Sequence, residues 1–301
     1  MTRRSRRLST MLGGSALALA ASARAELELP RVSPRARVTQ VIGFTEVAIE
    51  YSRPAVRGRT IWGELVPYGR VWRTGANEAT TLSFSTDVYV EGAALKAGTY
   101  SLHTVPDRRA WTVVFNEIAE QWGSFDYDQA NDAVRIEVQP RRTAEQREWL
   151  SFAFRELTVD SADVVLHWDH LQVAFTVKTD GLSQALARID AELPSAAADD
   201  WRTPYNAAYF CYYAGVRLDQ ARAWAKRSAE IEPNLFTLQL VALYLARSGD
   251  HRGAVAAGER AVAANQAAAE KYDTSSLERR LAEWKKAALP VRAQRAGEAV
   301  P

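Results

Sequence analysis

The chain has 301 residues, with 38 basic and 36 acidic side chains, a formal net charge of +2, 47% hydrophobic residues and one cysteine. This composition excludes a disordered or collagen-like polymer, and a single cysteine excludes an internal disulfide framework. The length is ample for one large hydrophobic core or two smaller ones.

At the N-terminus, Arg3, Arg4, Arg6 and Arg7 precede an apolar run from Met11 to Ala21, and Ala23-Arg24-Ala25 forms a small-x-small cleavage pattern before Glu26. The order predicts a secretory signal peptide over residues 1–25 and an exported protein, periplasmic or extracellular. The apolar run is well short of the ~20 residues that span a bilayer, and no later stretch is long and apolar enough to do so. Ser5-Arg6-Arg7-Leu8 also resembles a twin-arginine export signal. Loss of the leader leaves 33 basic against 36 acidic side chains. The remaining chain is slightly acidic and lacks the charge expected for a nucleic-acid partner.

Residues 26–180 read as a β-domain. Apolar residues alternate at Val47, Ile49 and Tyr51, at Leu82 and Phe84, at Val88 and Val90, at Tyr100 and Leu102, and at Trp111, Val113 and Phe115. The pattern continues at Val134 to Val138, Leu150 to Phe154, Val164 to Trp168 and Leu171 to Val177. Period two with β-branched and aromatic residues predicts half-buried antiparallel strands, about nine of them. Turn signals at Glu91-Gly92, Ala97-Gly98 and Asp169-His170 separate them, so the expected fold is a β-sandwich or jelly-roll-like domain.

After Asp180 the period becomes helical. A linking helix and linker occupy 181–200, with a helix over Gly181 to Ala191 and a break containing Pro194. Residues 201–289 are expected to form an α-helical, tetratricopeptide-like region, since Ala221/Ala254 and Ser228/Ala261 are each 33 residues apart, close to that repeat's period, with a plain α-hairpin bundle of chance spacing as the alternative. Glu232-Pro233-Asn234 resembles a closing turn, and Ser275-Ser276-Leu277-Glu278 reads as a capping box for a last helix reaching about Ala288. Residues 290–301 are expected to be a flexible tail. Cys211 falls in a helical apolar run, which predicts a buried, inert thiol.

The segment from Ile49 to Thr81 gathers arginines, tryptophans and an Asn-Glu pair on a long connection between strands. Its blocks Tyr51-Ser52-Arg53-Pro54, Gly58 to Gly63, Leu65 to Gly69 and Val71 to Thr81 resemble the hallmarks of the family catalogued as domain of unknown function 2911. The resemblance extends through Ala97 to Leu102, Trp111 to Asn116 and Gln121-Trp122-Gly123, covering about Ser33 to Lys178. It implies exported bacterial proteins, often envelope-associated, with no agreed catalytic residues to carry over.

The chemistry therefore rests on the residues. Arg53, Arg57, Arg59, Arg70 and Arg73 suit bidentate recognition of carboxylate or phosphate, or alternatively pin the loop by salt bridges. Trp62, Trp72 and Trp122 offer stacking faces or core anchors. Asn77 can hold a substrate carbonyl or hydroxyl, and Glu78 is the sole, weak candidate for a catalytic acid/base, with an Arg73–Glu78 structural pair as its bland alternative. His103 reads as an ordinary surface or satisfied core residue, and His167, Asp169 and His170 sit too close together on one hairpin to converge on a metal. No cofactor and no metal are expected, and no nucleophile elbow, zincin helix or phosphate-binding glycine loop is present. The ligand-binding set is Arg53, Arg59, Trp62, Trp72, Arg73, Asn77, Glu78 and Trp122. The expected function is a binding module for an envelope sugar or anionic small ligand, with a protein partner at the helical region. A hydrolase of envelope glycan or peptide using Glu78, or a scaffold without a ligand, are the alternatives.

Overall fold

A computed structural model describes residues 29–289. The expected leader and the tail after Pro290 lie outside the described residues. The first half is built from antiparallel strands: β1 (Arg35–Ile42), β2 (Thr45–Ser52), β3 (Thr80–Phe84), β4 (Val88–Val90), β5 (Ala93–Leu95), β6 (Gly98–Val105), β7 (Trp111–Asn116), β8 (Asp132–Val138), β9 (Arg141–Arg155) and β10 (Ser161–Lys178). A six-stranded sheet runs in the order β1-β2-β3-β6-β7-β8, and a four-stranded sheet in the order β5-β4-β10-β9. Ile49, Leu82, Leu102 and Phe115 from the first sheet share one core with Val90, Leu150, Val164 and Phe175 from the second. The alternating positions that predicted strands are those that bury their side chains between the sheets.

Three features depart from the expected strand pattern, the first being the short strand β5, which falls where no alternation is read. β1 is an additional edge strand whose side chains are mostly exposed or half-buried, so its alternation is weak in hydrophobicity. Asp169-His170 is not a hairpin turn. It lies inside the single long strand β10, where register shifts on both sides of Asp169 mark a bulge, and Asp169 takes φ 51°. A bulge satisfies the same local demand for a left-handed residue without reversing the chain.

Among the described residues six α-helices follow: α1 (Gly181–Glu192), α2 (Arg202–Ala214), α3 (Leu218–Ile231), α4 (Leu235–Arg247), α5 (His251–Ala267) and α6 (Ser275–Ala287). From α2 onward each packs against the next, around a second core that is separate from that of the strands. Ala221, Ser228, Ala254 and Ala261 are all fully buried, as close helix contact requires of small side chains. Cys211 is buried in this core, and burial pushes its thiol pKa up. The capping box occurs at α4, where Asn234 and Thr237 bond reciprocally to each other's backbone, rather than at α6. There Thr274 is the N-cap and Ser275 bonds back to Asp273, so the serine lies one position too late to cap.

The two halves meet at a glycine pair. Gly43, at φ +60° in the β1–β2 turn, lies so close to Gly181 at the start of α1 that a Cβ on either would approach the other's Cα to 2.8 Å. Beside it the Arg188 guanidinium stacks 4.3 Å above the ring of Phe44.

Candidate functional site

The connection from Arg53 to Ala79 closes one end of the β-domain by sinking its apolar residues into the core. Val56, Ile61, Val66 and Trp72 are buried there, and Trp62 packs against them. Trp62 makes edge contacts with Trp72, Trp111 and Trp168 at centroid distances of 5.8, 5.0 and 5.7 Å, while Trp72 and Trp168 stack at 5.9 Å. Trp72 is further fixed by reciprocal backbone bonds with Thr104 and by its indole N–H donating to the Gly75 carbonyl. Trp62 and Trp72 therefore build the domain end, Trp72 buried and Trp62 half-buried against the core.

The five loop arginines make no ion pair among the described residues. Arg53 donates Nε to the Leu150 carbonyl, and Arg59 donates to the carbonyls of Val56 and Ala55. These two tie irregular backbone together, the role considered for them, but through carbonyls rather than carboxylates. Arg73 is different. Its guanidinium has no hydrogen-bond partner among the described residues, its Nε is buried, and burial lowers its pKa. The expected Arg73–Glu78 pair does not form: Glu78 receives both of its bonds from Arg31 Nη1, at 2.6 and 2.8 Å.

Arg73 lines a cavity of about 230 Å³ together with Arg57, Arg59, Trp72, Trp168, Val32 and Ser33. No carboxylate of the described residues lines it. Its backbone is held under strain: Thr74, fully buried and β-branched, sits at φ 56°. That conformation is sterically unfavourable and persists because Thr74 Oγ1 donates to the Trp72 carbonyl while Thr80 donates Oγ1 to the Thr74 carbonyl and its N–H to that of Arg73. The guanidinium is thus fixed at its root and, among the described residues, unpartnered at its tip.

The remaining expected residues fall elsewhere. Asn77, at φ 60°, donates Nδ2 to the Ser33 carbonyl and holds the N-terminal segment. Glu78 and Trp122 line a second, larger cleft of about 690 Å³ with Arg35, Glu50, Thr81, Ser83, Thr99, Glu120 and Gln121. Burial alone would raise the Glu78 pKa, but the Arg31 hydrogen bond and a backbone bond outweigh it and hold the carboxyl below its ordinary value. The eight expected ligand residues therefore divide among a cationic pocket (Arg59, Trp72 and Arg73), an open polar cleft (Glu78 and Trp122) and structural contacts (Arg53, Trp62 and Asn77).

Three contributors escaped sequence reasoning. Trp168 reaches the arginine pocket from β10, nearly a hundred residues downstream, and Arg31 reaches Glu78 across 47 residues of sequence. His103 is fully buried on the outer face of the six-stranded sheet, neither a surface nor a satisfied core residue, with no partner on either ring nitrogen among the described residues. Burial lowers its pKa to about 4 against a small opposing pull from Asp132. Among the described residues no group of three or more His, Cys, Asp or Glu side chains is placed to hold a metal ion.

A two-sheet β-domain with an arginine-lined pocket at its closed end, followed by a helical array, defines the class. Residues 33–177 match the family described as "Protein of unknown function (DUF2911)", and the β-domain belongs to that family. The helices lie outside the match. No curated protein and no solved structure matches the chain.

Proposed function

We propose that this chain is an exported binding module whose β-domain captures a small anionic ligand in the arginine pocket, and whose tetratricopeptide-like helices engage a protein partner. One observation carries the reading: the Arg73 guanidinium is partly desolvated yet unpaired among the described residues, in a pocket to which those residues bring two further arginines and no carboxylate. A buried cation without a counter-charge is costly to the fold and is retained where a ligand supplies the charge. The planar fork suits a carboxylate or a phosphate, and the pocket walls of Trp72 and Trp168 suit a compact apolar body behind it. The helical reading rests on the 33-residue spacing of small buried residues, and export on the N-terminal pattern.

Hydrolysis by Glu78 draws less support, because a carboxyl held ionised by Arg31 has no proton to give a leaving group. A pure scaffold accounts for Trp62 and Trp72 but not for Arg73.

The test is thermal stability of residues 26–301 with a panel of organic phosphates and carboxylates. A ligand at 100 times its Kd adds about 2.7 kcal/mol to the native state, an easily measured shift. Arg73→Ala should abolish it. If no anion shifts the wild type, or if the shift survives Arg73→Ala, the reading is wrong.

A further inference from the structure

The cleft around Trp122 differs in kind from the arginine pocket. Its floor is the outer face of the six-stranded sheet, where strand register sets a polar row across every strand: Arg37, Glu50, Thr81, Ser101, Asn116 and Asp132. A sheet face this polar has no hydrophobic reason to be covered. Yet the segment between β7 and β8 folds over half of it. Gln121 donates Nε2 to Ser101, Asn116 and Ile118, burying the row at that end. The other half stays open, floored by Thr81, Ser83 and Thr99.

Trp122 stands at the border. Its backbone is fixed on both sides, by Ala79 N–H donating to the Gln121 carbonyl at 2.9 Å and Gly123 N–H donating to the Asn77 carbonyl at 3.0 Å. The side chain nevertheless remains 59% exposed. A large indole held on a rigid backbone and left in water is a pre-organised apolar surface.

Two of the cleft's three carboxylates are paired with arginines in or beside it, and the exposed Glu120 at its rim is not among those pairs. Glu78 is bound by Arg31, and Glu50 by Arg35 and Arg37 at 3.3 and 3.2 Å. Paired carboxylates and guanidiniums keep spare acceptor and donor positions in fixed directions while offering no strong net field. Such a surface discriminates against ions and in favour of hydroxyl groups.

We propose that this cleft is a saccharide-binding site for a neutral mono- or disaccharide unit. Trp122 stacks on the apolar face of a pyranose ring, and Glu50, Glu78, Arg35, Thr81, Ser83 and Thr99 read its hydroxyls. The cavity of about 690 Å³ is of suitable size, within the roughly 300–1,000 Å³ of small-molecule sites. The site goes beyond the anion reading and does not depend on it: the two cavities have no lining residue in common, and the loop from Gly75 to Ala79 supplies one wall to each.

The experiment is calorimetric or NMR titration of residues 26–301 with maltose, cellobiose and N,N′-diacetylchitobiose, each to about 10 mM so that weak sites register. At least one should bind. Trp122→Ala should weaken it by roughly tenfold, the loss of one aromatic stacking contact, while Trp122→Tyr, which restores a ring, recovers most of it. Thr81→Val should weaken it as well, and Arg73→Ala should leave it unchanged. Anions of the preceding test should show the reverse pattern, so either site can fail alone. No binding by any of the three sugars, or binding that survives Trp122→Ala, overturns the proposal.

Discussion

Protonation of His103 provides a quantitative test of how the β-domain is built. The imidazole is fully buried beneath the segment joining β7 to β8, 5.0 Å from the ring of Tyr127, and its nitrogens have no partner among the described residues. The nearby charges are committed to each other: Asp132 accepts from Tyr127 at 2.7 Å and from Arg135 at 2.6 Å. Burial together with that Asp132 bond pushes the Tyr127 hydroxyl up to about 12, so it stays neutral. A charged His103 would thus lose water without gaining a bond, which is why its pKa falls from 6.5 to about 4. In the unfolded chain the imidazole binds a proton near pH 6.5, so between that pH and about 4 the unfolded state holds more protons. The His103 contribution to stability is therefore complete above pH 6.5, declines as pH falls through this window, and levels off below it. The full shift corresponds to about 3 kcal/mol, of which about 2 is lost by pH 5. Urea unfolding at pH 7.5 and pH 5.0, comparing wild type with His103→Phe, isolates this term. His167, whose pKa is also lowered by burial and by Arg147, is present in both proteins and cancels. Phenylalanine keeps the ring and removes two unsatisfied nitrogens, so the variant should fold and should lose about 2 kcal/mol less on acidification. An equal loss in both proteins, or an NMR titration of His103 near 6.5, would refute the reasoning.

Two further outcomes follow from the same packing. Arg73→Met should raise the stability of the ligand-free protein by about 0.5–2 kcal/mol, because it removes an unpaired, partly buried charge, while eliminating the anion response. A fall in stability on thermal unfolding would instead make Arg73 a structural residue. Gly181→Ala should destabilise the junction between the two halves by about 1–3 kcal/mol, because the new Cβ meets the Gly43 backbone at 2.8 Å. Alanine is the better helix former by about 1 kcal/mol, so an unchanged or higher melting temperature would show that the turn gives way easily.

The local patterns in the sequence carried most of the architecture. Alternation at Val47 to Tyr51 or Trp111 to Phe115 is a nearest-neighbour property, and those residues became core strands. Helical spacing after Asp180 likewise yielded helices whose small residues, Ala221 and Ala254 among them, are buried. Where local signals allow two solutions the reading was weaker. Asp169 demanded a left-handed conformation, which a turn or a bulge provides equally, and only the pairing of β10 with β9 selected the bulge.

The loop from Arg53 to Ala79 could be located from sequence, because its variety of arginines, tryptophans and glycines is more than a connection requires. Which of its residues face a ligand could not. That depended on partners remote in sequence: Arg31 claimed Glu78, Leu150 claimed Arg53, and Trp111 and Trp168 packed around Trp62, while backbone bonds from Asn77 and Ala79 of the loop set Trp122, itself outside the loop, at the cleft edge. Residue type and spacing determine the chemistry a side chain can perform and the element on which it stands. Whether that chemistry is spent inside the fold or left available is decided by long-range contacts, because a guanidinium or an indole has the same sequence signature whether it is satisfied or exposed.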